Sequence, residues 1–95
     1  MKIMKAKLIV YNLSNLNHYQ KVLVNRALFG YNDHSNKGKY FYKREGILKK
    51  MPHLRLSKGV LIVKVRDQKK VLDILKKYKA KYFVFTINTK GLKLY

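Results

Sequence analysis

The sequence predicts an α+β domain of the ferredoxin-like type, with the order β-α-β-β-α-β. Four runs rich in β-branched and aromatic residues alternate with two runs whose apolar residues recur at helical spacing. In this arrangement both helices cover one face of a four-stranded antiparallel sheet. No linker or internal repeat interrupts residues 1–95, so we expect one domain.

The first strand is predicted over residues 7–13, and Ser14-Asn15 supplies an N-cap for the helix that follows. Gly30 ends this helix. Its predicted inward face consists of Leu16, Tyr19, Leu23 and Ala27.

Residues 32–38 are predicted to form a turn or loop, and residues 39–43 a second strand that the pattern allows to continue to residue 48. Residues 49–58 are predicted to be a loop because Pro52 stands among four cations, Lys49, Lys50, Arg55 and Lys58. The third strand is predicted over residues 59–65 and the fourth over 82–87, followed by a polar, basic tail.

Asp67 is predicted to cap the second helix. Its apolar residues and its lysines fall on opposite sides at helical spacing. Facing inward we expect Val71, Ile74, Leu75 and Tyr78, and facing water Lys69, Lys70, Lys76, Lys77 and Lys79.

One face of the sheet is left without helices, and strand alternation predicts what it displays. Because a charged set should be exposed, strand one is expected to turn Lys7, Ile9 and Tyr11 outward. The other outward residues are predicted to be Tyr40 and Tyr42, then Val60, Ile62 and Lys64 (with Leu61, Val63 and Val65 inward), then Tyr82, Val84 and Thr86. Such a patch of tyrosines and aliphatic residues framed by lysines can stack bases or form a dimer interface.

The charge of the chain points to a polyanionic partner. Lys and Arg number 23 against 4 acids, a formal charge of +19. Nucleic acid is the favoured partner because each neutralised phosphate also releases a counterion; an acidic protein surface is the alternative. The absence of cysteine excludes a disulfide framework and thiolate metal sites.

Aromatic residues followed at once by cations can combine base stacking with phosphate contact, and residues 40–46 have this pattern. More cations follow in the predicted loop. The residues predicted to contact nucleic acid are Tyr11, Tyr40, Tyr42, Lys43, Arg44, Lys49, Lys50, His53, Arg55, Lys58 and Lys64.

Residues 8–13 (Leu-Ile-Val-Tyr-Asn-Leu) and 58–65 (Lys-Gly-Val-Leu-Ile-Val-Lys-Val) resemble the first-strand and third-strand motifs of the RNA recognition motif family. The resemblance implies a ferredoxin-like fold and RNA binding. At the positions where that family has its base-stacking aromatics, this chain has Ile9, Val60 and Ile62. The resemblance therefore bears on the fold more than on the mode of binding.

Metal-dependent nuclease chemistry needs converging carboxylates, and the four acids are scattered, so no metal or other cofactor is expected. Metal-free RNA cleavage needs only a base, an acid and a cation. His34 with Tyr40, or else His53, could supply these groups. Small ferredoxin-like endoribonucleases that process CRISPR transcripts use similar residue types.

The sequence thus predicts a small RNA-binding protein, such as a component of a ribonucleoprotein particle. A metal-independent endoribonuclease and a dimeric DNA-binding protein remain alternatives. The apolar run at residues 8–11 is too short to span a bilayer, so we expect a cytoplasmic protein without a membrane partner.

Overall fold

The structure, a computed structural model, describes residues 5–35 and 40–88, with the backbone alone at 33–35 and 40–42. Two short 3₁₀ turns, Ile47–Lys50 and Val65–Asp67, connect longer elements. In chain order the strands and helices of this part are β1 (Lys5–Asn12), α1 (His18–Phe29), β2 (Gly30–Ser35), β3 (Tyr40–Glu45), β4 (His53–Ser57), β5 (Val60–Lys64), α2 (Gln68–Lys77) and β6 (Lys81–Asn88).

Four of these strands form an antiparallel sheet in the order β4-β5-β1-β6. The predicted α+β class, with a four-stranded antiparallel sheet and two helices, is confirmed and is compatible with a ferredoxin-like fold. Strands β2 and β3 pair only with each other, as a separate two-stranded sheet.

The assignment of the second sheet strand was wrong. Residues 40–45 do form a strand, but it pairs with β2, which occupies residues 30–35, much of the predicted loop. The sheet instead takes β4 from the segment predicted to be a loop. Cations and a preceding proline are tolerated there because β4 is an edge strand, with one side free of ladder hydrogen bonds.

A single core lies between the helices and one face of the sheet. The sheet contributes Ile9, Tyr11, Leu61 and Val63, α1 contributes Val24 and Leu28, and α2 contributes Val71 and Leu75. Because side chains from both helices join the same cluster, the two helices cover the same face.

The register of two strands differs from the prediction. Ile9 and Tyr11 are buried, and their neighbours on β6, Val84 and Tyr82, pack against the same core, so neither pair faces outward. Lys7 shares their face but lies near the end of the strand, where its Nζ donates a hydrogen bond to Thr86 Oγ1 at 2.6 Å. A long side chain can thus carry its charge past the core.

For β5, burial of Leu61 and Val63 is confirmed, and register places Val60, Ile62 and Lys64 on the opposite face. Ile62 is nevertheless only 2% exposed, so it is not displayed on that face as predicted. Val65 was predicted to face inward, but it lies beyond the strand in a 3₁₀ turn and is exposed. The strand therefore ends at Lys64, one residue earlier than predicted.

Helix α1 begins later than predicted. Its N-cap is Asn17, whose Oδ1 accepts a hydrogen bond from the Gln20 N–H at 2.8 Å, while Gln20 Oε1 accepts from the Asn17 N–H at 3.1 Å. The inward face of the helix is therefore rotated from the predicted one. Val24 and Leu28 are buried, whereas Tyr19, which was predicted to face inward, is exposed. The end at Gly30 is confirmed.

Helix α2 has the predicted faces: Val71 and Leu75 are buried, Ile74 and Tyr78 pack against the core, and the five lysines are exposed. Asp67 stands at the N-cap position, but its side chain makes no capping hydrogen bond. The carboxylate lies 3.9 Å from Arg66 Nε.

Replacing Asn17 with alanine removes the side-chain half of the capping box, the bond that Asn17 Oδ1 accepts from the Gln20 N–H. We expect a loss of about 1 kcal/mol of unfolding free energy, measured by urea denaturation. Asn17→Asp keeps the acceptor and should retain most of the stability. Equal stability of all three proteins would show that the Asn17 side-chain cap contributes nothing to stability.

The β2–β3 hairpin is attached to the C-terminal end of α1 by two glycines. Gly30 has φ +83° and ψ −177°, a conformation almost confined to glycine, and a Cβ there would collide with the Arg44 carbonyl oxygen. Gly46, where the hairpin ends, would collide through a Cβ with the Leu28 carbonyl oxygen. The two ends of the hairpin are therefore held directly against the helix.

Candidate nucleic-acid interface

The face of the four-stranded sheet that lacks helices is apolar. Strand register places on it, from the three strands β1, β5 and β6, Ala6, Leu8, Val10, Val60, Ile62, Lys64, Phe83, Phe85 and Ile87. Phe83 and Phe85 are 67% and 53% exposed. Of these nine residues only Lys64 is charged, so the predicted tyrosine patch framed by lysines does not form on these strands.

A cluster of cations instead surrounds the base of the hairpin. A cavity of about 230 Å³ opens there, between the end of α1, the first residues of β2, the end of β3 and the following 3₁₀ turn. Its lining includes Lys43, Arg44 and Lys49, with Glu45 as the one acid among its lining residues. All three cations are exposed, so their charge reaches solvent. We call this cavity and its lining the hairpin-base site.

Two stacked arginines flank the hairpin-base site. The guanidinium carbon of Arg26 lies 4.4 Å from the centre of the Tyr31 ring, and that of Arg55 lies 4.3 Å from the centre of the Phe29 ring. Both rings line the cavity. Stacking orients the planar guanidinium while leaving its N–H edge able to form paired hydrogen bonds with phosphate oxygens.

Arg55 also acts on Tyr11. Burial raises the pKa of the Tyr11 hydroxyl, and the nearby positive charge of Arg55 partly opposes this rise. The Tyr11 ring is only 7% exposed, so it is not available to stack a base on the sheet as predicted. It does line a second cavity, of about 420 Å³, together with Lys58.

The remaining predicted contacts are dispersed. Lys50 is exposed in the 3₁₀ turn beside Lys49, whereas Lys64 lies on the apolar face of the sheet, opposite the helices.

His53 Nδ1 lies 3.0 Å from the Met51 carbonyl oxygen. Since a carbonyl only accepts, Nδ1 carries the proton, and Nε2 of a neutral ring is left as the acceptor.

The candidate catalytic residues His34 and Tyr40 are placed by backbone alone. His34 pairs with Phe41, and Tyr40 with Ser35, near the end of the hairpin away from α1. Tyr42 pairs with Asp33. The side chains of His34, Tyr40 and Tyr42 lie outside the described part, so their predicted roles remain predictions.

Sequence reasoning missed three members of the interface, Arg26, Phe29 and Tyr31. A signal was present: Phe29-Gly30-Tyr31 places aromatic residues on both sides of a helix stop, with Arg26 one turn earlier. The turn-like composition of residues 32–38 hides this signal, because it predicts a loop and so no strand that would pair beside Tyr31.

No protein-family model matches the chain, and comparison with curated proteins and with solved structures gives no significant match. Residues 5–35 and 40–88 contain no group of three or more His, Cys, Asp or Glu side chains that could hold a metal ion. Neither described helix has the length and apolar character needed to cross a membrane.

Proposed function

We propose that the chain is a ferredoxin-like RNA-binding protein in which the β2–β3 hairpin is an insertion. Leaving the hairpin aside, the elements follow one another as β1, α1, β4, β5, α2 and β6, which is the β-α-β-β-α-β order. Two central strands, β5 and β1, lie between edges formed by β4 and β6. The partial resemblance to the RNA recognition motif family agrees with this proposal.

The observation that carries the function is the hairpin-base site. Three exposed cations line a cavity between two arginines that are already stacked on aromatic rings. Phosphates need cations in fixed positions, and bases need aromatic or guanidinium planes. Both kinds of group occur here, whereas the apolar face of the sheet has few charges.

RNA is preferred over DNA because the domain is built on a sheet and contains no sign of a helix-turn-helix arrangement among its described elements. With a charge of +19 the chain would work best inside a ribonucleoprotein particle, where RNA phosphates neutralise it. A cytoplasmic location fits this role.

Titration of labelled single-stranded RNA against salt tests the proposal. We expect the logarithm of the binding constant to fall linearly with the logarithm of salt concentration, with a slope of about −0.7 for each phosphate contacted. A matched duplex DNA should bind more weakly at every salt concentration. Equal affinity for both would remove the preference for RNA.

The nuclease alternative is favoured by one observation, the orientation of the His53 ring. Its Nε2 can accept a proton, and Arg55 lies two residues away on the same face of β4. Incubating the protein with the same labelled RNA in EDTA distinguishes metal-independent cleavage from binding alone. Cyclic-phosphate ends would establish cleavage, and intact RNA would leave binding as the function.

Self-association is favoured by the exposure of Phe83 and Phe85 on the apolar face. A dimer formed there would leave the hairpin-base site free, because the helices and the hairpin-base cations do not lie on that face. Sedimentation with and without RNA distinguishes a monomer from a dimer. A dimer that binds duplex DNA in preference to RNA would support the DNA-binding alternative.

A further inference from the structure

The larger cavity, about 420 Å³, has the size and lining of a small-molecule site. It lies between α1, the end of β1 and the turn that joins β4 to β5. Its lining combines two cations with amide and hydroxyl groups and an apolar wall: Tyr11, Asn12, Leu13, Ser14, Lys21, Asn25, Lys58 and Gly59.

Several of these groups are held in position. Asn12 Oδ1 accepts a hydrogen bond from the Ser14 N–H at 2.7 Å, which orients the amide. The Tyr11 N–H donates a hydrogen bond to the Gly59 carbonyl oxygen at 2.8 Å. A Cβ added to Gly59 would come within 2.6 Å of the Tyr11 carbonyl oxygen. The turn carrying Lys58 is therefore packed closely against the end of β1.

The larger cavity and the hairpin-base site are both lined by residues on one side of α1. Lys21 and Asn25 line the larger cavity, and Phe29 lines the smaller one. Residues four apart lie on the same side of a helix, so the three form a single row about 12 Å long at a rise of ~1.5 Å per residue. Arg55, stacked on Phe29, adds a cation at one end of this row.

We infer that the larger cavity holds one unpaired nucleotide of the bound RNA, whose chain continues along α1 to the hairpin-base site. The inference rests on the proposed function. Lys21 and Lys58 would contact the phosphate, and the Asn12 and Asn25 amides would contact the base or ribose. A nucleotide inside a duplex cannot enter, so the cavity selects single-stranded RNA.

Filling the cavity without changing charge tests the inference. Asn25→Leu adds apolar volume at an exposed helical position, where leucine is the better helix former. We expect its affinity for a short labelled oligouridylate to fall about tenfold, a loss comparable to that of one stacked base. The affinity for the matching RNA duplex should not change, because a nucleotide inside a duplex does not enter the cavity.

Gln68→Leu is the matched control, since it makes the same amide-to-leucine change at the start of α2, away from the cavity. It should bind oligouridylate as the wild-type chain does. Circular dichroism and thermal unfolding of both variants would verify that they are folded.

A second measurement examines the cavity without an RNA chain. Titration with uridine monophosphate, followed by NMR, should shift the backbone amides of Asn25 and Lys58. Oligouridylate binding that Asn25→Leu leaves intact, with no such shifts, would overturn the inference alone. Failure of the wild-type chain to bind oligouridylate would overturn the proposed function, and the shifts would then still decide whether the cavity accepts a nucleotide.

Discussion

Replacement of Arg26, Lys43 and Lys49 together by glutamine is expected to weaken the binding of single-stranded RNA on the order of a hundredfold at ~0.1 M salt. Each lost phosphate contact lowers the salt slope by about 0.7, so three contacts remove about two units of slope. At ~0.1 M salt two units correspond to about two orders of magnitude in the binding constant. The measurement is fluorescence anisotropy at several salt concentrations.

The matched control removes the same charge elsewhere. Lys69, Lys70 and Lys76 are exposed on α2, and their replacement by glutamine lowers the net charge by the same three units. If position matters, this triple should lose less than about one unit of slope. Equal losses for the two triples would show that the chain attracts RNA by overall charge and that the hairpin base is not a site.

Substitution of Gly30 by alanine is expected to lower the unfolding free energy by at least about 3 kcal/mol. A residue with a side chain is strained by up to about 3 kcal/mol in such a backbone conformation, and the added Cβ would also collide with the Arg44 carbonyl. In a domain of this size the loss corresponds to a fall in Tm of about 12 °C or more.

Two further variants separate the causes of this loss. Gly46→Ala leaves an ordinary backbone conformation, φ −82°, but introduces a collision with the Leu28 carbonyl oxygen, so it reports the steric effect alone. Asn32→Ala, at an exposed position of β2, should change stability by less than about 0.5 kcal/mol. If Gly30→Ala were no more harmful than Asn32→Ala, the hairpin would not be fixed to α1 in the manner described.

The class of fold could be predicted from the sequence, but the orientation of β1 could not. Alternation offers two faces for any strand, and the choice was made from one charged side chain, Lys7. Its flexible stem lets the ammonium reach Thr86 while Ile9 and Tyr11 enter the core. A charge near the end of a strand is therefore weak evidence about which face is exposed.

The edge strand β4 was missed for a related reason. His-Leu-Arg-Leu-Ser alternates as a strand should, but Pro52 and the surrounding cations are typical of a loop as well. Such residues protect an exposed strand edge from pairing with other chains. Only the ladder with β5 distinguishes the two interpretations.

The candidate site was predicted in part. Lys43, Arg44 and Lys49 were expected to act together and do line one cavity. Their partners on α1 could not be found from the sequence, because the bend at Gly30 that brings Phe29 and Tyr31 to the same cavity is a tertiary feature. Local patterns identify the cations, whereas the folding of the hairpin onto the helix determines the aromatic neighbours.

The position of β1 in the sheet has a consequence for synthesis on the ribosome. Its partners are β5 and β6, which begin at Val60 and Lys81, so β1 is synthesised well before the strands that it pairs with. At typical elongation rates the nascent β1 remains unpaired for roughly 2–10 s before β5 begins to be made. During this interval the cations Lys5 and Lys7, at the start of the strand, oppose association of its apolar residues with other nascent chains.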